Sequence, residues 1–224
     1  MQDDFVRNER KLLLFLQENY NLVTLSIETN YKKISENCEK RLDYIDFLRS
    51  ETLSFFSRIV SSISDEEESK TLLKIIDRYD YLFQIHDSIK DLFHTKKTME
   101  EHYIELNSDL LMFIRDISNR SMSLFSSVHD SLDKKTAKYS RVKKDAHDLQ
   151  TVLDEVNKGL LALIANPERR DAGALTHLVT YSQRLKDKLV NFSSIKSNPL
   201  KKGLTSRDQD IAKEPIQIKK TTPP

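Results

Sequence analysis

Apolar side chains recur at steps of three and four along most of the chain, and six segments carry the pattern. In the first, from about Phe5 to Thr29, Leu13, Leu16, Tyr20, Val23 and Ile27 share a face. The second, about Ile34 to Ser62, puts Cys38, Leu42, Ile45, Leu48, Thr52, Phe55 and Ile59 on a comparable stripe, and Asn30 predicts the bend between the two. Ser64-Asp65-Glu66-Glu67 has the form of a capping box, with the Ser64 hydroxyl and the Glu67 carboxylate serving free backbone N–H groups. It predicts a third helix running to about Phe93, with Leu72, Ile75, Tyr79, Leu82, Ile89 and Phe93 inward. A fourth, from near Met99 past Leu132, is expected to be the longest. The fifth, about Lys138 to Ala165, has the cleanest stripe, Val142 through Leu149, Leu153 and Val156 to Leu163, and Asn166-Pro167 ends it because the residue before proline avoids the α region. The sixth spans about Asp171 to Ser193.

The second hundred residues repeat the first at an offset of 100. Ile75, Leu82, Ile85, Asp87, Ile89, Asp91 and Leu92 stand against Leu175, Ser182, Leu185, Asp187, Leu189, Asn191 and Phe192. A fixed internal period implies two copies of one unit. The expected fold is therefore all-α: two tandem pseudo-symmetric three-helix bundles, residues 5–95 and 98–193, packed into one elongated bundle. The boundary is placed at Thr95 to Thr98, with Lys96 and Lys97 closing the first repeat. The stretch from Ser194 to Pro224, with three prolines and a small basic excess, is expected to be a disordered tail.

Composition narrows the picture. Three glycines, five prolines and no tryptophan in 224 residues leave little turn chemistry for a β-protein. With 36 Lys and Arg against 35 Asp and Glu there is no broad basic field, so nucleic acid is not an expected partner. Cys38 lies in an apolar row and is expected to be a small buried hydrophobe. No apolar run approaches the roughly 20 residues that cross a bilayer, and the start lacks the regions of a signal peptide. The expectation is a chain that is soluble and cytoplasmic, at the inner face of the cell membrane or as the soluble part of a membrane protein.

On the third helix of each repeat a row at steps of four lies beside the apolar stripe: Phe83, Asp87 and Asp91 in one, Gln183, Asp187 and Asn191 in the other. Here the chain resembles the PhoU family, whose paired three-helix repeats carry a Glu-x-x-x-Asp-x-x-x-Asn pattern on the third helix. Leu82-Phe83-Gln84-Ile85-His86-Asp87 stands where that family reads Leu-Glu-Arg-Ile-Gly-Asp. The layout is most similar to the PhoU-like domain at the cytoplasmic end of bacterial sodium/phosphate cotransporter-family proteins. The resemblance covers about residues 10 to 195 and implies a regulatory or accessory role in phosphate uptake without catalysis. It implies as partners a phosphate transporter or its membrane domain, or a signalling protein, and admits a homodimer.

Family members bind metal ions through these acids. The resemblance thus makes Asp87, Asp91, Asp187 and Asn191 the candidate ligands of a divalent or trivalent metal ion, although Phe83 and Gln183 replace the family's glutamates. The other reading of the same rows is a solvated helix edge, favoured by the lack of a paired histidine. His86 falls near the inward stripe and is expected to be a hydrogen-bonded core or boundary histidine. No glycine-rich phosphate loop is present, and no acid, base and nucleophile are assigned to one cleft. The alternative to a phosphate regulator is a helical scaffold or adaptor with no phosphate role.

Overall fold

A computed structural model describes residues 2–104, 106, 108–132, 139–164 and 172–195. Among them are six α-helices and no strand: α1 Gln2–Thr29, α2 Lys32–Val60, α3 Glu66–Glu101, α4 Ser108–Ser131, α5 Tyr139–Ile164 and α6 Ala172–Ser194. The stripes predicted from the sequence form the core, with Leu13, Leu16, Ile45, Leu82, Leu124, Leu149, Leu153 and Leu189 fully buried. The tail expected beyond Ser194 lies outside the described residues, apart from Ile195.

Helix α1 runs against α2, since Phe5 meets Phe55 and Phe56 at one end while Phe15 meets Tyr44 farther along. Helix α2 runs against α3, with Phe56 on Tyr79 and Lys96 on Ser35. Helices α1, α2 and α3 pack pairwise, as do α4, α5 and α6. The contacts of α1 with α4 and of α3 with α6 close a ring of four helices, and the broadest of all is α3 on α6. Helix α2 sits on α1 and α3, and α5 on α4 and α6. Small polar residues let α1 and α4 approach: Ser118 donates to Thr24 Oγ1 at 3.1 Å, and Tyr20 packs on Phe125 at 5.7 Å between centroids.

Three helix limits differ from the sequence-based expectation, each for a local reason. The cap of α3 is Asp65, whose carboxylate accepts from the Glu67 N–H at 3.3 Å, one residue later than the Ser64 box placed it. Helix α3 does not stop near Phe93 but runs on through Lys96 and Lys97 to Glu101, which makes it, at 36 residues, the longest described helix. At about 1.5 Å per residue it is roughly 54 Å long. Thr95, Lys96 and Met99 are buried on it, because the Lys96 ammonium finds Ser35 Oγ at 2.6 Å and Glu100 at 2.5 Å while its stem stays apolar.

Helix α3 ends instead at Tyr103, which takes a left-handed φ of 52°. Ile104 N–H reaches back to Met99 O at 2.9 Å and Tyr103 N–H to Glu100 O at 3.1 Å, the paired bonds of a Schellman ending. Glycine usually holds that position, so a tyrosine there gave no stop signal in the sequence. Helix α4 accordingly begins at Ser108 and, with 24 residues, is among the shorter elements. The bend at Asn30 is as expected, with φ 49° and its N–H on Ser26 O at 3.1 Å.

Candidate functional site

The acids of the third-helix rows lie where α3 meets its neighbours. Asp87 points toward α2, where Arg49 Nη1 donates to both carboxylate oxygens at 3.0 and 3.1 Å. One turn on, Asp91 faces α6 and lies 3.7 Å from Arg184. Burial pushes the Asp91 carboxyl above its ordinary value, with Arg184 pulling the other way and Asp87 adding like charge. One turn of helix separates the two acids, as the spacing required.

The α6 row is different. Asp187 is half exposed, 3.2 Å from Lys186 Nζ and 3.4 Å from the Gln183 amide. Asn191 is exposed, and its backbone carbonyl accepts from the Ser194 hydroxyl at 2.7 Å. Each of the three acids thus has a cationic neighbour of its own: Arg49 for Asp87, Arg184 for Asp91 and Lys186 for Asp187. Among the described residues no group of three or more His, Cys, Asp or Glu side chains is placed to hold a metal ion. Asp80, one turn before Gln84 on α3 and the nearest acid that could replace a missing glutamate, accepts from the Gln84 amide.

The polar seam is completed by residues that the row pattern did not single out. Asp46 on α2 accepts from Lys90 Nζ at 2.6 Å and from His86 Nε2 at 3.1 Å. Burial pushes the Asp46 carboxyl up, but the bonds from Lys90 and His86 outweigh it and hold the group below its usual range. His86 is fully buried, as its place near the stripe suggested. Desolvation lowers its pKa against the pull of Asp46, Nδ1 has no hydrogen-bond partner in the structure, and a proton on Nε2, donated to the Asp46 carboxylate, is the tautomer that fits both. Farther along the same seam Lys97 reaches Glu39 at 2.6 Å.

A second polar feature ties three helices. Glu9 and Arg78 are each 2 % exposed. The Arg78 Nε lies 3.0 Å from both Glu9 oxygens and its Nη2 lies 2.8 Å from one. The guanidinium also donates to the Ile195 carbonyl and stacks over the Phe192 ring at 4.6 Å. Burial pushes the Glu9 carboxyl up and Arg78 opposes it. The available signal was a charge at a core position, since Arg78 falls between Ile75 and Leu82 on the apolar stripe.

The remaining candidates behave as structural groups. Cys38 is buried, and burial raises its thiol, which suits a packing residue rather than a nucleophile. Tyr79, Phe83 and Phe93 are buried, so those aromatics are core. No described helix is long and apolar enough to cross a membrane. No protein-family model matches the chain, and neither a curated protein nor a solved structure matches it significantly.

Proposed function

We propose that the protein is a helical regulatory module of PhoU-like layout, two tandem three-helix units that bind a sodium/phosphate transporter, its membrane domain or a phosphate-signalling partner at the inner face of the membrane. The observation that carries this reading is the meeting of α3 with α6, the third helices of the two sequence repeats, over the broadest interface in the bundle, with the Asp91 to Arg184 pair across it. Helices α1 to α3 and α4 to α6 packing among themselves support the two-unit part. The phosphate part rests on the resemblance of the rows ending at Asp91 and Asn191.

In this reading the acids act through arginines rather than through a metal ion. Asp87 and Asp91 each have a guanidinium within ion-pair distance, which already supplies the charge a cation would bring. The module works by offering a rigid helical face, and a partner that favours one arrangement of the α2, α3 and α6 seam shifts the balance between arrangements. That same engagement of the acids favours the second reading, an adaptor without a phosphate role.

Radiolabelled phosphate uptake separates the two. Cells carrying a sodium/phosphate cotransporter are compared with and without the chain, and the transporter is purified by affinity to see whether the chain accompanies it. A change in uptake together with co-purification is expected. Unchanged uptake and a transporter that comes off alone would sink the phosphate reading and leave the adaptor.

A further inference from the structure

A hollow of about 250 Å³ opens between the N-terminal part of α4, the C-terminal part of α5 and the N-terminal part of α6. We propose that it is a binding site for a small apolar amine. Phe113, Ile117, Val156, Leu178 and Val179 are among its walls, and Asp109 is the charged side chain in its lining. Asp109 on α4 and Gly159 on α5 are the exposed residues of its lining. The inference stands apart from any role in phosphate uptake.

The other half of the molecule shows how the space arises. At the 100-residue offset, Phe56, Ile59 and Tyr79 correspond to Val156, Gly159 and Val179. The register holds in the fold, since Phe56 faces Tyr79 across α2 and α3 while Val156 and Val179 line one hollow between α5 and α6. In the first half the place is filled, with Phe56 and Tyr79 at 5.3 Å and Phe5 packed on both. In the second, two aromatic rings and an isoleucine have become two valines and a glycine.

Gly159 adds an independent point. A Cβ built there meets nothing within 4 Å, and its φ is not positive, so neither crowding nor backbone conformation calls for glycine. Glycine inside a helix weakens it relative to alanine. What the residue does is leave the wall of the hollow open. Interiors are close-packed, and a hollow of this size forgoes contacts that an occupant would restore.

The chemistry of the walls selects the occupant. A cavity of roughly 150 Å³ lined by leucine, isoleucine and phenylalanine takes benzene, so the larger hollow here accommodates a ring with a short alkyl chain. Asp109, at the rim, places negative charge where the head of such a ligand would emerge. An ammonium suits that position and a carboxylate does not.

Titration calorimetry and methyl NMR with phenylbutylamine, butylbenzene and phenylbutyrate test the site on the full chain. The amine is expected to bind saturably, one per chain, shifting the methyl signals of Val156, Leu178 and Val179, with the acid about tenfold weaker or worse. Gly159→Leu, which fills the hollow, is expected to weaken the amine by at least about tenfold while keeping the helical circular dichroism. Val179→Tyr fills it from the α6 wall and serves where Gly159→Leu does not fold. Absence of saturable amine binding, or binding undiminished in both filled variants, overturns the site. Equal binding of amine and acid overturns the assignment of the head group.

Discussion

Helices α2 and α5 each sit outside a pair of neighbours, and they are fastened by different forces. Along α2 the contacts with α3 include a run of polar pairs that ends in an aromatic one: Lys96 on Ser35, Lys97 on Glu39, Lys90 and His86 on Asp46, Arg49 on Asp87, then Phe56 on Tyr79. Along α5 the contact with α6 includes Lys186 on Gln150, and the buried positions Leu149, Val152, Leu153 and Val156 supply apolar surface. Apolar burial is non-directional, whereas ion pairs and hydrogen bonds work at one register. The first half thus has its register specified many times over. The second half has polar ties of its own between α4 and α5, Ser127 on Asp145 and Arg141 on Asp130, but where the first half stacks Phe56 on Tyr79 it keeps Val156, Gly159, Val179 and a hollow.

The largest effect that would break this comparison is expected at Arg78. Changing Arg78→Met leaves the Glu9 carboxylate buried without its partner and should cost about 3–5 kcal/mol, measured by urea unfolding. The double change of Glu9→Leu with Arg78→Met should recover most of that loss, because the pair is then replaced by packing. A double mutant no better than the single one would show that the arginine matters for Ile195 or Phe192 instead.

On the other side, Leu153→Ala in the fully buried stripe of α5 should cost about 2–5 kcal/mol. If it costs much less, α5 is collapsing into the hollow beside it, and the contrast between filled and open halves weakens.

The pH dependence sharpens the first half. His86 is held below its ordinary value of 6.5 when folded, so below that pH the unfolded chain takes up a proton that the folded chain refuses. Its contribution is present above the unfolded value and falls as pH drops below 6.5, in a surrounding of Asp46, Asp87 and Lys90. Stability measured at a series of pH values should decline on that acid side in the wild type. The decline should be shallower in His86→Leu, and an unchanged slope would mean that His86 titrates as it does in the unfolded chain.

Smaller effects are expected at exposed positions. Arg49→Ala should lose under about 1 kcal/mol because its partner Asp87 is also partly exposed. Gly159→Ala should gain up to about 1 kcal/mol from helix propensity, since its Cβ has room. Thermal melting resolves both, and a loss at Gly159→Ala would mean that the helix there is tighter than it stands in the structure.

The six helices were legible because their stripes are long and regular, and stripes survive in almost any all-α packing. The stop of α3 was not, because Tyr103 takes the conformation that glycine would have advertised. Lys96 looked like a helix-ending cation, but a long stem and a reachable Ser35 let it lie buried on a helix that runs on to Glu101. The edge position of Asp87 and Asp91 followed from spacing. Their partners Arg49 and Arg184 did not, since which arginine meets which acid depends on how whole helices are set against each other.

Arg78 draws together residues 9 and 195, which lie far apart along the chain, by holding the Glu9 carboxylate and the Ile195 carbonyl in one hand. The path of the chain from Glu9 on α1 to Ile195 just past α6 is therefore nearly a closed circuit. Dyes attached beside those two places should report close proximity for as long as the circuit is shut. Joining them by a short linker and cutting between α3 and α4 should give a rearranged chain that folds to the same bundle.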